Sequence, residues 1–515
     1  MNKKILLAAI VGSVFEWYDF YLFATLLMFM SKVILPVGND TLTFLFGLIM
    51  FGVGVIVRPF GALFFGRLSD LAGRKKVFLT TVIMMGIFTT AMGLLPGFAM
   101  IGWVAPILLI VCRIGQGLAL GGEYGNAIAY IYEHVKKESR GVYTGLVQTS
   151  VHFGLLLTFT IVLLCQWSMT AAEFADWGWR IPFVFSLILI ILSVWLRRSM
   201  DESPEYLAIA NNNQLSKSPI IESFTNRHNL KHAIIVTLGV TAGMSVVVYT
   251  TVAYMIMYLL KVMKLDPTLT MLILGGSQIF AILLTAWLGK LSDKVSKLKM
   301  LVFGLLLSGV TIVPLFGLLD DVIHPDRNAV ISQYPIRING PDNCSLNLFS
   351  AQTTDCAKVK DLFIKNNIPF SNNITQSIDG VQYEITLNNK SFNASNLSAI
   401  TTELKNVGYI NVPTIMTLES KLLIFALVCF AMILHSLTFA PVAALLGDLF
   451  PTKIRSTSIS TVFHFSIGWF GGFLPFIVTI LNAMTGSVLF GLYYPSIVAL
   501  ISAGIIFIFN DRLSK

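Results

Sequence analysis

Two carboxylates stand inside an apolar, aromatic run: GSVFEWYDFYLF, residues 12–23, holds Glu16 and Asp19. Three residues apart, they share one face of a helix. Counting from Lys4 at 1.5 Å per residue puts them about 18–22 Å deep, near the middle of a bilayer. Arg113 reaches a similar depth from the opposite side. An ionisable group costs several kcal/mol there unless paired or hydrated, so its presence marks function. A carboxylate pair beside an arginine has a proton affinity that depends on what else occupies the site, which is the chemistry of proton coupling. A permanent interhelical salt bridge is the plainer alternative for Glu16, Asp19 and Arg113.

Other polar groups at membrane depth are candidates for binding a solute. In the first part of the chain they are Tyr18, Arg58, Gln116, Glu123 and Tyr124, with Arg58 placed to pair with Glu123 or Asp19. In the second part they are Tyr249, Gln278 and His464, all neutral. His152 and His435 read more simply as hydrogen-bonded packing residues. Arginines suit a carboxylate, and aromatic faces suit a quaternary ammonium. A zwitterion fits both, and a small dicarboxylate fits the arginines alone.

These residues need elements to carry them. The 515-residue chain is 55% hydrophobic and only 12% charged, half of what a soluble surface of this size needs. Runs of about 20 apolar residues mark membrane-crossing helices. Twelve are found, at 5–31, 43–65, 78–97, 101–124, 142–166, 180–197, 233–259, 268–288, 300–319, 421–446, 457–482 and 490–510. Barrel-type alternation is absent, so the fold class is all-α and integral to the membrane. Lys and Arg concentrate in one set of short loops, Arg197 and Arg198 among them, which places both termini in the cytoplasm. The net charge of +9 follows from those loops and does not point to nucleic acid.

Residues 198–232 read as a cytoplasmic linker between two six-helix halves, 1–197 and 233–515. Residues 320–420 interrupt the second half on the outer side as an insert large enough for a small domain. Its GVQYEITL alternates like a strand and its CAKVKDLFIKN reads as a helix. It holds Cys344 and Cys356, the two cysteines outside the spans, and a disulfide between them is expected in an oxidising compartment.

An internal repeat supports the two halves. GRLSDLAGRKK (66–76) follows span 2, and GKLSDKVSKLK (289–299) follows span 8. Gly66 and Gly73 permit sharp turns, Asp70 and Asp293 can meet a helix N-terminus, and Arg74 leads a basic cluster. A basic turn that merely obeys charge asymmetry would not recur at equivalent places. A parallel repeat of this kind places the solute site near the midplane, between the halves.

The loop pair resembles the signature loop of the major facilitator superfamily. EWYDFYLFA, RPFGALFFGRLSDLAGRKK, RIGQGLALGGEYG, WGWRIPF, RRSMDESPEY and GDLFPTKIRSTS resemble its metabolite:proton symporter branch, which includes proline/betaine, α-ketoglutarate and shikimate carriers. The insert and GWFGGFLPF resemble a subset of that branch. Ser296 and Lys297 depart from the usual Gly and Arg of the second loop. The resemblance implies a proton-coupled importer of a small organic solute, such as proline, betaine or a small carboxylate. It implies a multi-pass, monomeric protein of the bacterial inner membrane whose partners are solute, proton and lipid. No enzyme signature, metal-ligand spacing or phosphate-binding loop is found, so no catalytic residue, metal or cofactor is expected. A facilitative or exporting carrier, or a transporter-like sensor, is the alternative.

Overall fold

The computed structural model describes residues 3–35, 40–198, 200–212, 214–225, 227–341, 344, 354–374, 383–410 and 416–510. Twelve helices among them are long and apolar enough to cross a membrane. Spans 1–6 are Ala9–Ile34, Ile49–Ala72, Arg74–Leu94, Val104–His134, Lys137–Trp167 and Gly178–Arg198. Spans 7–12 are Asn229–Val262, Pro267–Leu291, Lys297–Ile323, Leu418–Leu449, Thr452–Thr485 and Phe490–Ile508. Each coincides with an expected apolar run. Several extend further, as span 4 does from 124 to His134, because its last polar residues are buried against other helices rather than against lipid.

Two local features shape the interior. Pro59 has no N–H to donate, and span 2 breaks at Val57 into Asp40–Ile56 and Arg58–Ala72. Spans 7 and 11 contain π turns, among them Thr250–Tyr254 and Ile467–Gly471, which re-aim the side chains that follow. The halves meet along spans 5 and 8 and along spans 2 and 11. Small residues allow this contact: a Cβ on Gly145 would lie 2.7 Å from Gly289 Cα, and one on Gly66 would lie 2.9 Å from Thr457 Cα.

Between spans 9 and 10 the chain builds a four-stranded sheet: β1 (Ile336–Gly340), β2 (Phe370–Ile374), β3 (Glu384–Leu387) and β4 (Lys390–Asn393), in the order β2-β1-β3-β4. β1 runs parallel to β2 and antiparallel to β3. Asn388 and Asn389, both at positive φ, make the two-residue turn from β3 to β4. Helices Asp355–Lys365 and Leu397–Val407 cover the sheet, and Ile338, Phe363, Ile385, Ile400 and Leu404 fill a core separate from that of the bundle. The strand expected from GVQYEITL occupies 384–387; residues 375–382 lie outside the described ones. Cys344 and Cys356 form a disulfide. The sheet is fixed to the second half: Phe370 N donates to Gly486 O at 3.0 Å, and Lys264 Nζ to Asn366 Oδ1 at 3.4 Å.

Candidate functional site

The repeated loops close one face of the bundle by capping each other's half. Asp70, at the end of span 2, accepts from Thr457 N (2.9 Å), Thr457 Oγ1 (2.6 Å) and Ser456 N (3.3 Å), the first turn of span 11's helix. Asp293, after span 8, accepts from Gly141 N (2.6 Å) and Val142 N (2.9 Å), the first turn of span 5's helix. A carboxylate at a helix N-terminus meets unpaired N–H groups and the positive end of the dipole. Gly73 follows Asp70's helix at φ 96°, the left-handed region that glycine suits.

Around Asp70 the closure is ionic, with Asp70, Arg74 and Glu133 buried. Arg74 binds Asp70 at 2.7 Å and Glu133 at 3.2 Å. Glu133 also takes Arg455 of span 11 at 3.0 Å, and Arg455 takes Glu205 of the connecting segment at 2.8 Å. The second site is lighter: Lys297 binds Asp448 at 3.0 Å with both side chains partly exposed. Lys297 has a single side-chain nitrogen and reaches one carboxylate, whereas the two terminal nitrogens of Arg74 bridge Asp70 and Glu133.

Deeper in the first half, the expected grouping of Glu16, Asp19 and Arg113 is not the one found. Glu16 pairs with Arg197 at 2.9 Å, and Arg197 also binds Glu123 at 2.7 Å. Thr81 Oγ1 donates to Glu123 at 2.7 Å. Arg197 was expected in a basic loop. It is instead buried inside the end of span 6, passing Gly12, where a Cβ would lie 2.5 Å from its Nη2. Glu123 is therefore taken, and Arg58 pairs with neither Glu123 nor Asp19.

Arg113 makes no ion pair among the described residues. Its guanidinium donates to Met50 O (3.3 Å), to Phe51 O (3.1 Å) and to Gln116 Oε1, and lies 4.0 Å from the Phe23 ring centroid. Gln116 Nε2 in turn donates to the main-chain oxygen of Asp19 at 3.1 Å. Asp19's carboxylate accepts from Ser186 Oγ and has no cation within ion-pair distance among the described residues. A chain of hydrogen bonds, not a salt bridge, joins Arg113 to Asp19.

Arg58 is placed by the break in span 2. It is fully buried over the Phe20 ring, 4.2 Å from the centroid, and donates through Nη1 to Tyr249 OH of span 7 at 3.3 Å. Its Nε and Nη2 have no hydrogen-bond partner among the described residues. Tyr249 thus ties the second half to Arg58 of the first. Tyr124 stacks on Phe463 of span 11 with centroids 3.5 Å apart, beside His464.

Two candidates sit elsewhere. Tyr18 donates to Pro182 O at 2.7 Å and fixes span 1 to span 6, away from the centre. Gln278 Oε1 accepts from His152 Nδ1 at 2.8 Å, in a network with Thr285, Ser436 and His435 between spans 5, 8 and 10. No group of metal-ligating side chains occurs among the described residues. Arg197 is the residue the sequence reading missed. Its signal was a count: three deep acids in the first half, Glu16, Asp19 and Glu123, against two deep bases.

Two six-helix halves that share a buried polar centre and cap one another at one face define a secondary transporter of small solutes, not an enzyme. Residues 5–223 match the family model described as "Sugar (and other) transporter". The Alpha-ketoglutarate permease of Escherichia coli K12 is 33% identical over 315 residues, 61% of this chain and 71% of that protein. The Shikimate transporter of the same strain is 33% identical over 324 residues, covering 62% and 73%. The Inner membrane metabolite transport protein YhjE, also of that strain, is 28% identical over 500 residues, 97% and 92%. In three dimensions the chain is similar to the proton:xylose symporter XylE, with TM-score 0.60 over 98% of this chain and 95% of that one at 14% identity. The chain belongs to the major facilitator superfamily, among its metabolite transporters.

Proposed function

We propose that this protein imports a small organic solute bearing a carboxylate, together with a proton, across the bacterial inner membrane with both termini in the cytoplasm. The observation that carries the reading is Arg58. It is a buried guanidinium with two nitrogens lacking partners and no ion-paired carboxylate among the described residues, and it donates one hydrogen bond to the opposite half. An unpaired charge at this depth is costly unless a ligand supplies its counter-charge, and the planar fork of Arg suits a carboxylate. Arg113, linked to the same aromatic cluster, provides a second positive charge. The named solutes of the relatives, alpha-ketoglutarate, shikimate, proline and betaine, all carry a carboxylate, which supports the reading.

Asp19 is the proton carrier in this scheme. Of the deep acids in the first half it is the one free to gain or lose a proton without breaking an ion pair, and Gln116 links its main chain to Arg113. Solute on the arginines moves Gln116 and span 1, and so alters the surroundings of Asp19. The test is uptake of labelled carboxylates into liposomes holding wild-type, Arg58→Lys or Arg58→Gln protein. Uptake that survives Arg58→Gln with unchanged KM sinks the proposed site.

A further inference from the structure

A cleft enters the bundle from the side that carries the β-sheet. It is lined by Leu27 and Met28 of span 1, Phe51 of span 2, Ile256 and Leu260 of span 7 and Pro475 of span 11, so both halves contribute to it. Met28 and Leu260 are partly exposed, whereas Leu27, Phe51, Ile256 and Pro475 are buried, which separates its mouth from its floor. The sheet lies beyond that mouth, because span 7 runs on from Leu260 toward Lys264, which bonds Asn366.

Phe51 belongs to the cleft and to the arginine site at once. Its ring centroid lies 5.6 Å from that of Phe20 and 6.5 Å from that of Tyr249, the two residues that hold Arg58. Arg113 Cζ is 5.7 Å from the same ring, and Phe51 O accepts from Arg113 Nη2 at 3.1 Å. Arg58 and Arg113 are fully buried, and the paired loops close the opposite face. The way from the cleft to the arginines therefore crosses the Phe51 ring.

From these features we propose that Phe51 is a gate: its ring divides the cleft from the arginine site, and its displacement admits solute from the sheet side. The inference rests on the reading of Arg58 as the solute's anchor for what passes, not for the gate itself. Two irregular segments let the ring and its facing wall move. Span 2 is interrupted at Val57, so the segment Asp40–Ile56 that carries Phe51 can swing while Arg58–Ala72 stays bound to span 11 through Asp70. The facing wall of span 7 runs between two π turns, Thr250–Tyr254 and Tyr258–Val262, which are points where a helix kinks. Tyr249 belongs to the second half, so the ring is shut in when the halves approach at this face.

The experiment labels full-length protein in lipid nanodiscs, where both faces meet the reagent, with a charged methanethiosulfonate in a background lacking Cys112, Cys165 and Cys429. Ser245→Cys reports from behind the gate, since Ser245 is fully buried one turn from Tyr249 on the side away from the cleft. Ser460→Cys, buried where span 11 meets Gly125 of span 4, reports from the face closed by the loops. Losing the two aromatic contacts of Phe51 shifts opening about tenfold. Phe51→Ala should therefore raise labelling of Ser245→Cys by about that factor and leave Ser460→Cys unchanged, while Phe51→Tyr, which keeps the ring, should label at the parent rate. Should Phe51→Ala fail to fold, Phe51→Leu, apolar but without the ring, carries the same comparison. Unchanged labelling of Ser245→Cys, or an equal rise at both reporters, overturns the gate. Labelling needs no solute, so its failure leaves the carboxylate reading of Arg58 standing, and failure of the Arg58 uptake test leaves the gate standing.

Discussion

Removing the Asp70 carboxylate should open the face it closes. Asp70 makes two good bonds across the halves, to Thr457 N and Thr457 Oγ1, and a longer one to Ser456 N. Hydrogen bonds to a charged group contribute roughly 1.5–3 kcal/mol each. Part of this is regained when the freed helix end meets water, and Arg74 keeps Glu133 as a partner. A net loss of about 3 kcal/mol is therefore reasonable, and at 1.4 kcal/mol per decade it shifts the closed–open equilibrium about 100-fold. Ser460 is fully buried where span 11 meets Gly125 of span 4, so Ser460→Cys reports opening. In a background lacking Cys112, Cys165 and Cys429, Asp70→Ala should raise the thiol labelling rate about 100-fold. Asp293→Ala likewise removes two such bonds between the halves, so its effect should be of the same order. Equal labelling in Asp70→Ala and the parent would refute the capping argument.

Three further outcomes are expected. Asp19→Asn should abolish proton-driven accumulation in liposomes and retain solute exchange; accumulation against a gradient in that variant would remove Asp19 from the coupling role. Arg197→Met leaves Glu16 and Glu123 facing each other unpaired and should destabilise the protein by about 3–5 kcal/mol, with thermal unfolding as the readout and partial recovery on adding Glu16→Gln and Glu123→Gln. Replacing residues 324–417 with a Gly/Ser linker should leave a folded carrier with altered affinity or gating, because closing the shorter loop costs little; loss of monodisperse protein would show the insert to be integral to the fold.

The spans were legible because lipid imposes one requirement on every residue of a crossing, and a window of apolar side chains records it locally. The paired loops were legible because the repeat at 66–76 and 289–299 preserves the residues that cap. Partners were not. Arg197 stands beside Arg198 at the end of an apolar run and reads as a loop residue, yet one helical turn decides between lipid headgroups and a buried ion pair. Its choice of Glu16 and Glu123 depends on contacts 181 and 74 residues away along the chain. Arg58 meets Tyr249 across 191 residues. No local pattern specifies such distances, and for that reason the arginine nearest in depth to Glu16, Arg113, was the wrong one.

The attachment of the β-sheet layer has a practical corollary. Besides its covalent ties to spans 9 and 10, it is pinned at Gly486, between spans 11 and 12, and at Lys264, between spans 7 and 8. Every one of those anchors belongs to the same six helices. If the halves rock against each other, the sheet follows one of them like a flag on a mast. An antibody fragment raised against the sheet would leave turnover intact while reporting the tilt of that half, and it would supply the asymmetric mass that single-particle imaging of so small a membrane protein requires.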